Sequence, residues 1–110
     1  MSDPKTARIR EVNDAFRTTL SGGTVLLSAG VYELPDMVKA AALQKAATFD
    51  QFNDDNDPHG EHDFGSFELC GRKFSWKIDY YDRAMEYGSE DPREPEQTTR
   101  VMTVMLAEEY

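Results

Sequence analysis

The stretch "FGSFELCGRKFSWKIDYYD", residues 64–82, decides the fold that this sequence predicts. Its second half alternates strictly, so that Phe74, Trp76, Ile78 and Tyr80 fall on one face of an extended chain and polar residues fall between them. Gly71 lies between the two halves, where a hairpin turn needs a residue that tolerates positive φ. The stretch therefore predicts an antiparallel hairpin with one buried face.

The segments before the hairpin predict two helices and a strand. Ser2 or Asp3 can cap a first helix, Pro4 suits its first turn, and apolar residues recur at spacings of three and four until "SGG" at 21–23. Residues 24–35 predict a covered strand, with Gly30 and Pro35 weakening its second half. Residues 35–52 predict a second helix, whose apolar stripe consists of Val38, Ala42, Ala46, Phe49 and Phe52.

The segments after the hairpin complete an α+β fold. Residues 86–98 combine glycine, proline and acids, which indicates a surface loop. Residues 98–106 are rich in β-branched side chains, which favours a strand over a helix. The order α, β, α, β, β, β predicts two helices packed on one face of a mainly antiparallel sheet of about four strands. The other face, with Ser75, Lys77, Asp79 and Tyr81, is then open to solvent, to a partner or to a second copy of the chain.

Length and composition set the general class. The chain has 110 residues, 39% of them hydrophobic, which predicts one domain over residues 1–110. It shows neither a secretory leader nor an apolar run of membrane-spanning length, which predicts a cytoplasmic protein. The single Cys70 cannot form an internal disulfide and is interpreted as a bystander.

The charge is concentrated in one half of the chain. The formal net charge is -9, and residues 50–110 hold sixteen acids against six Lys and Arg residues. Such a field repels the nucleic acid backbone and favours cationic partners, namely a metal ion, a basic peptide or the basic groove of a nucleic-acid-binding protein. Acidity also serves simply to keep a protein dispersed, so it does not identify a partner by itself.

The loop "NDDNDPHGEHDFG", residues 53–65, is the first candidate site. His59, His62 and Asp63 could bind a divalent metal, with Asp79 as a further ligand, because imidazole and carboxylate suit zinc, manganese or iron. An EF-hand register that starts at Asp55 fails, since its twelfth position is a serine, and the zincin spacing fails as well. The alternative is a set of local turns ahead of Pro58, with the histidines paired to nearby carboxylates.

Three motifs carry a resemblance to a known family. "NDPHGEHDFGSFE", "WKIDYYD" and "TTRVMTVMLAEEY" resemble the signature stretches of a family of small alphaproteobacterial proteins with a domain-of-unknown-function label. The resemblance runs from "RIREVNDAFR" to Tyr110. It implies a self-standing domain, often encoded on plasmids and other mobile DNA, and it brings no assigned catalytic residue.

These observations lead to two functional hypotheses. The first is a protein-binding domain without a cofactor, which inhibits a nucleic-acid-binding defence enzyme, of anti-CRISPR or anti-restriction type, with carboxylates that stand in for phosphates. Its candidate partner-binding residues are Asp54, Asp55, Asp57, Glu61, Asp63, Asp79, Tyr81, Asp82, Glu90, Asp91 and Glu94. The second is a small metal-dependent hydrolase centred on His59, Glu61, His62 and Asp63.

An enzyme without a metal is a weaker hypothesis. General acid and base groups could come from His62, Asp63, Lys77, Asp79, Tyr80 and Tyr81, provided that the loop folds over the open face of the sheet. No residue is marked as a nucleophile, so we expect a binding protein rather than an enzyme.

Overall fold

The computed structural model describes residues 3–110 and gives three helices and four strands. The helices are α1 (Pro4–Thr19), α2 (Ala29–Tyr32) and α3 (Asp36–Ala47). The strands are β1 (Thr24–Leu27), β2 (Phe64–Leu69), β3 (Arg72–Tyr81) and β4 (Thr99–Leu106), and they form one sheet in the order β1-β4-β3-β2. Two short 3₁₀ helices cover Pro95–Gln97 and Ala107–Glu109.

The hairpin is confirmed as the centre of the fold. β2 and β3 pair antiparallel from Phe64 opposite Lys77 to Leu69 opposite Arg72. The two residues of the turn, Cys70 and Gly71, both have positive φ (53° and 74°), as a tight two-residue hairpin turn requires. Cys70 is exposed at this turn.

The sheet is mixed, which refines the prediction of a mainly antiparallel one. β4 pairs antiparallel with β3, with Val104 opposite Trp76, and the predicted C-terminal strand is thereby confirmed. β1 pairs parallel with β4. A parallel pair needs a long crossover, and here the hairpin, the loops and α3 all lie between the two strands in the chain. The α+β class is confirmed.

The first helix has the expected start and a different end. The Asp3 side chain accepts a hydrogen bond from the Thr6 N–H (2.9 Å) and caps α1, and Pro4 follows at the first helical position. Ser2, the other candidate cap, lies outside the described residues. Leu20 adopts a left-handed conformation (φ 56°) after the last turn and is exposed, so it does not continue the apolar stripe.

The strand predicted over 24–35 is correct only in its first half. It ends at Leu27, because the Ser28 hydroxyl accepts from the Val31 N–H and caps the one-turn helix α2. The Glu109 carboxylate then accepts from the Ser28 hydroxyl (2.6 Å), the Gly30 N–H and the Leu106 N–H, and these bonds hold the pKa of Glu109 below its usual range. The C-terminal 3₁₀ helix is thus fastened to α2.

The second predicted helix ends earlier than the pattern indicates. α3 stops at Ala47, and Phe49 and Phe52 pack on the core from the loop beyond it. The buried Arg17 terminates the helix by donating to the carbonyls of Ala46, Ala47 and Phe49 at 2.8, 3.1 and 2.9 Å. A cation at the C-terminus of a helix satisfies carbonyls that have no partner within the helix.

The core lies between the helices and the predicted apolar face of β3. Phe74, Trp76 and Ile78 are buried there with Met102, Val104 and Leu106 of β4, and the helices contribute Phe16, Val31, Ala42 and Ala46. The Arg17 guanidinium lies over the Trp76 ring, 4.9 Å from its centroid. Within residues 3–110, no helix is both long and apolar enough to span a bilayer.

The opposite face of the sheet is less open than the alternation predicts. Ser75, Val101 and Met105 are each less than 5% exposed there, and the Ser75 hydroxyl is hydrogen-bonded to that of Ser66 (3.1 Å). Lys77, Asp79 and Tyr81 keep partial exposure. The open region is therefore confined to the half of the face that is near the end of β3.

Gly65 tests how tightly the hairpin is packed. A Cβ at this position would lie 2.5 Å from the Trp76 indole nitrogen, and Trp76 is completely buried. We expect Gly65→Ala to lower the free energy of unfolding by about 1–3 kcal/mol in urea titrations, because the core must shift. Gly88→Ala is the matched control, since its Cβ would meet only the Tyr80 carbonyl at 3.8 Å. Equal stability of the two variants would contradict the packing.

Candidate functional site

A buried pair of polar side chains, Asn13 of α1 and Arg100 of β4, joins the helices to the loops. The Arg100 Nε–H donates to the Asn13 Oδ1 (2.7 Å), and both residues are at most 1% exposed. Asn13 lies in the apolar stripe of α1, and Arg100 lies on the same face of β4 as Met102 and Val104. Buried polar groups of this kind persist only when they are hydrogen-bonded.

Asn13 fastens the first acidic segment, residues 53–63. Its Nδ2 donates to the Glu61 carbonyl (2.9 Å) and to the Tyr80 hydroxyl (2.7 Å), and that hydroxyl donates to the Glu61 carboxylate (2.7 Å). Burial raises the pKa of Tyr80 above its usual range, so that the hydroxyl remains a donor. Arg10 adds a bond to the Gly60 carbonyl (3.0 Å).

Arg100 fastens the second acidic segment, residues 82–97. Its guanidinium donates to the Pro92 carbonyl and lies over the Tyr80 ring, 5.1 Å from the centroid. Burial lowers the pKa of Arg100, and the nearby Tyr80 and Glu61 partly offset this effect. The segment is closed on itself by Thr98, whose hydroxyl donates to the Asp91 carbonyl (3.1 Å).

The two acidic segments lie on either side of the first turns of α1. Asp54 and Asp57 line one cavity with Asp3 and Thr6 at the start of that helix. On the other side, the charge of Lys5 contributes to lowering the pKa of Asp91, behind the larger effect of Arg93. We call residues 53–57 and 82–97 together the acidic face.

The predicted partner-binding residues divide into two groups. Asp57 and Glu61 hold the structure together, since the Asp57 carboxylate accepts from the His62 N–H (3.1 Å) and that of Glu61 accepts from Tyr80. Asp91 forms a two-point ion pair with Arg93. Exposed carboxylates on the acidic face belong to Asp54, Asp55, Glu86, Glu90, Glu94 and Glu96.

His62 contributes to packing in the loop. Its ring stacks on Phe52 (centroids 3.7 Å apart, 2° between the planes), its Nδ1 lies 2.9 Å from a carboxylate oxygen of Asp14, and its Nε2 lies 3.7 Å from one of Asp57. Asp14 also contacts Arg17 at 3.2 Å. These contacts agree with the alternative in which the histidines pair with nearby carboxylates.

The structure does not bring the predicted metal ligands together. His59 is exposed and lines cavities on the α1 side and on the sheet side of the loop, whereas His62 lines a third cavity with Asp14 and Phe52. In the described part of the chain, no group of three or more His, Cys, Asp or Glu residues could hold a metal ion. The metal site and the hydrolase built on it therefore stay predictions without an assembled ligand set.

The open half of the sheet face carries a cavity of about 440 Å³. His59, Asp63, Lys77 and Asp79 line it, with aromatic side chains beside them, and Lys77 forms an ion pair with Asp79 (3.1 Å). These four residues belong to the sets that the sequence singles out for chemistry or for metal binding. His62 and Tyr80 of the acid–base set lie elsewhere, around the helices.

Comparison with known proteins gives a family. Residues 27–109 match the family described as "Protein of unknown function (DUF3768)", and because the match covers most of the chain, the chain belongs to that family. Comparisons with curated proteins and with solved structures gave no match. The predicted membership of a family of unknown function is thus confirmed, and α1 lies outside the matched residues.

The sequence predictions missed the residues that hold the site together. Asn13, Arg17 and Arg100 each stand at a buried position of an otherwise apolar pattern. A polar residue on such a face is a signal for a buried hydrogen-bond network, because an unpaired group there would be costly. The partners of each were not readable, since they come from loops far along the chain.

The two histidines allow a test of structural against ligand roles. We expect His62→Ala to lower the free energy of unfolding by about 1–3 kcal/mol, because it removes a stacked ring with hydrogen-bonded carboxylates, and His59→Ala to change it by less than about 0.5 kcal/mol. Chemical unfolding with and without added zinc measures both. A zinc-dependent stabilisation that either substitution abolishes would contradict this division and support a metal site.

Proposed function

We propose that this protein is a small binding domain whose acidic face receives a basic surface of another protein. The observation that carries the proposal is the Asn13–Arg100 pair, which fastens two acidic segments that are far apart in sequence to the two sides of one helix. A surface whose charges are held in place loses less conformational freedom on binding. Fixed carboxylates therefore suit recognition of a cationic partner.

The charge of the chain is concentrated in these segments. Residues 50–63 contain six acids and neither Lys nor Arg, and residues 82–97 contain six acids and two Arg residues. The rest of the chain is close to neutral. Lys5 lies between the segments, so the surface carries one cation within a strongly negative field. Such a field speeds encounter with a basic partner and selects against acidic ones.

Exposed apolar side chains next to the acids favour a protein over a metal ion as the partner. Met85 and Tyr87 in the second acidic segment are 50% and 73% exposed. Tyr87 lines a cavity of about 420 Å³ together with Asp82, Glu90 and Glu96. Tyrosine and methionine are enriched at protein interfaces, where the ring supplies contact area and the surrounding carboxylates supply orientation.

The finer proposal concerns the kind of partner. A basic surface that normally binds nucleic acid offers Arg and Lys residues at the spacing of phosphates, and exposed carboxylates on a fixed backbone can pair with them. We propose a nucleic-acid-binding enzyme of a defence system as this partner and a cytoplasmic site of action. The support is the charge pattern; a second copy of the chain is the competing partner, through the open half of the sheet.

Charge reversal tests the acidic face. We expect the triple variant Asp54→Lys/Asp55→Lys/Glu90→Lys to lose partner proteins that the wild-type protein retains from a nuclease-treated cell extract, because three attractive contacts become repulsive. Added salt should release the same proteins from the wild type, and added DNA should compete with the wild type for them. Quantitative mass spectrometry of the retained proteins measures each effect.

The control has the same net charge in another place. Glu33→Lys/Glu68→Lys/Glu108→Lys reverses three exposed carboxylates outside the acidic face. It should retain the same partners as the wild type, because their contacts are untouched. If both triple variants lose binding to the same extent, overall charge rather than this face governs the interaction. If neither does, the proposed function is wrong.

A further inference from the structure

The cavity on the open half of the sheet has a lining unlike that of the acidic face. Phe64 and Tyr110 form one side of it, edge to face with ring centroids 5.4 Å apart. Asp63, Lys77, Asp79 and His59 supply its polar groups. Its volume of about 440 Å³ lies in the range of small-ligand sites, which combine apolar walls with a few polar groups.

The balance of charge in this lining fits one positive charge. Lys77 neutralises Asp79 through their ion pair at 3.1 Å. Asp63 is left, because no side chain of another residue between 3 and 110 donates a hydrogen bond to its carboxylate or forms an ion pair with it. Two carboxylates and one ammonium group therefore leave one uncompensated negative charge when His59 is neutral.

Asp63 is held at this position by the hairpin. Its carbonyl accepts from the Ile78 N–H (2.8 Å), which extends the pairing of β2 and β3 by one residue. Burial is the main cause that raises the pKa of Asp63, the carboxylates of Glu61 and Asp57 add to the rise, and His59 opposes it. A carboxyl group in these surroundings gains from a cation placed beside it.

The aromatic side favours an organic cation. Guanidinium and ammonium groups are attracted to the faces of aromatic rings, and their aliphatic stems pack on the ring edges. A divalent metal needs several oxygen or nitrogen ligands, and the search of residues 3–110 found no group of three or more that could supply them. The lining thus selects a single charge on an apolar stem.

We propose that this cavity binds an alkylguanidinium or alkylammonium group between Asp63 and Asp79 on one side and Phe64 and Tyr110 on the other. The group comes either from a free amine or from an arginine or lysine side chain of a protein. In the second case, the inference rests on the proposed function and places one anchor of the partner here. In the first case, it stands without the acidic face.

Matched ligands test the proposal and separate the two sources. The probes are agmatine, capped arginine (N-acetylarginine methylamide) and the uncharged capped citrulline of the same shape, titrated into the full chain and followed by NMR. We expect agmatine or capped arginine to shift the resonances of Asp63, Phe64 and Tyr110, and capped citrulline to leave them unchanged. Tighter binding of agmatine indicates a free amine, and tighter binding of capped arginine indicates a protein side chain.

Variants tie the binding to the two carboxylates. Asp63→Asn should weaken binding of the preferred probe by about tenfold or more, because a charge-assisted hydrogen bond is lost, and Asp79→Asn should weaken it as well. Asp36→Asn, at an exposed carboxylate on α3, is the control. Burial already disfavours the charged form of Asp63, so we expect Asp63→Asn to fold with unchanged or higher stability.

A titration gives a readout that a purely structural role would not move. The bound cation should lower the pKa of the Asp63 carboxyl, measured by its carbon chemical shift, and binding should weaken as the pH falls through that pKa. Absence of binding by both charged probes, equal binding of capped citrulline, or binding unaffected by Asp63→Asn and Asp79→Asn would each overturn the proposal. None of these results bears on the charge-reversal test of the acidic face.

Discussion

The hydrogen bond between Arg100 and Asn13 is the contact on which the arrangement of the loops depends. A guanidinium buried on the core face of a sheet is tolerated only when its N–H groups and its charge are satisfied. Here Asn13, the Pro92 carbonyl and the ring of Tyr80 do so. Because these partners come from a helix, a loop and a strand, the pair fixes both acidic segments relative to the sheet.

A second buried cation plays the corresponding part at the other end of α1. Arg17 receives the C-terminus of α3 and lies over Trp76, and its neighbour Asp14 contacts His62. The first acidic segment is therefore fastened at both ends, by His62 near one arginine and by the Glu61 carbonyl near the other. This explains how a loop so rich in acids keeps a defined shape despite repulsion among its carboxylates.

The hairpin, the core face of β3 and the C-terminal strand could be predicted from the sequence, since alternation over ten residues has few other interpretations. The ends of elements could not. The strand predicted to 35 stops at Leu27 because Ser28 caps a short helix, and α3 stops at Ala47 because Arg17 binds its last carbonyls. Both reasons depend on neighbours or partners that a local pattern does not show. In the same way, the sequence indicated that the acidic loop matters, but not that His59 and His62 face different cavities.

The central claim is that Asn13, through Arg100, holds the two acidic segments as one surface. Native-state hydrogen exchange of the Asn13→Ala variant tests it most directly, because Asn13 contacts residues 53–63 and makes no printed-sequence neighbour of residues 82–97. We predict faster exchange of the Gly60 and Glu94 amides together, with the Trp76 amide in the sheet still protected. Faster exchange at Gly60 with Glu94 unchanged would contradict the account.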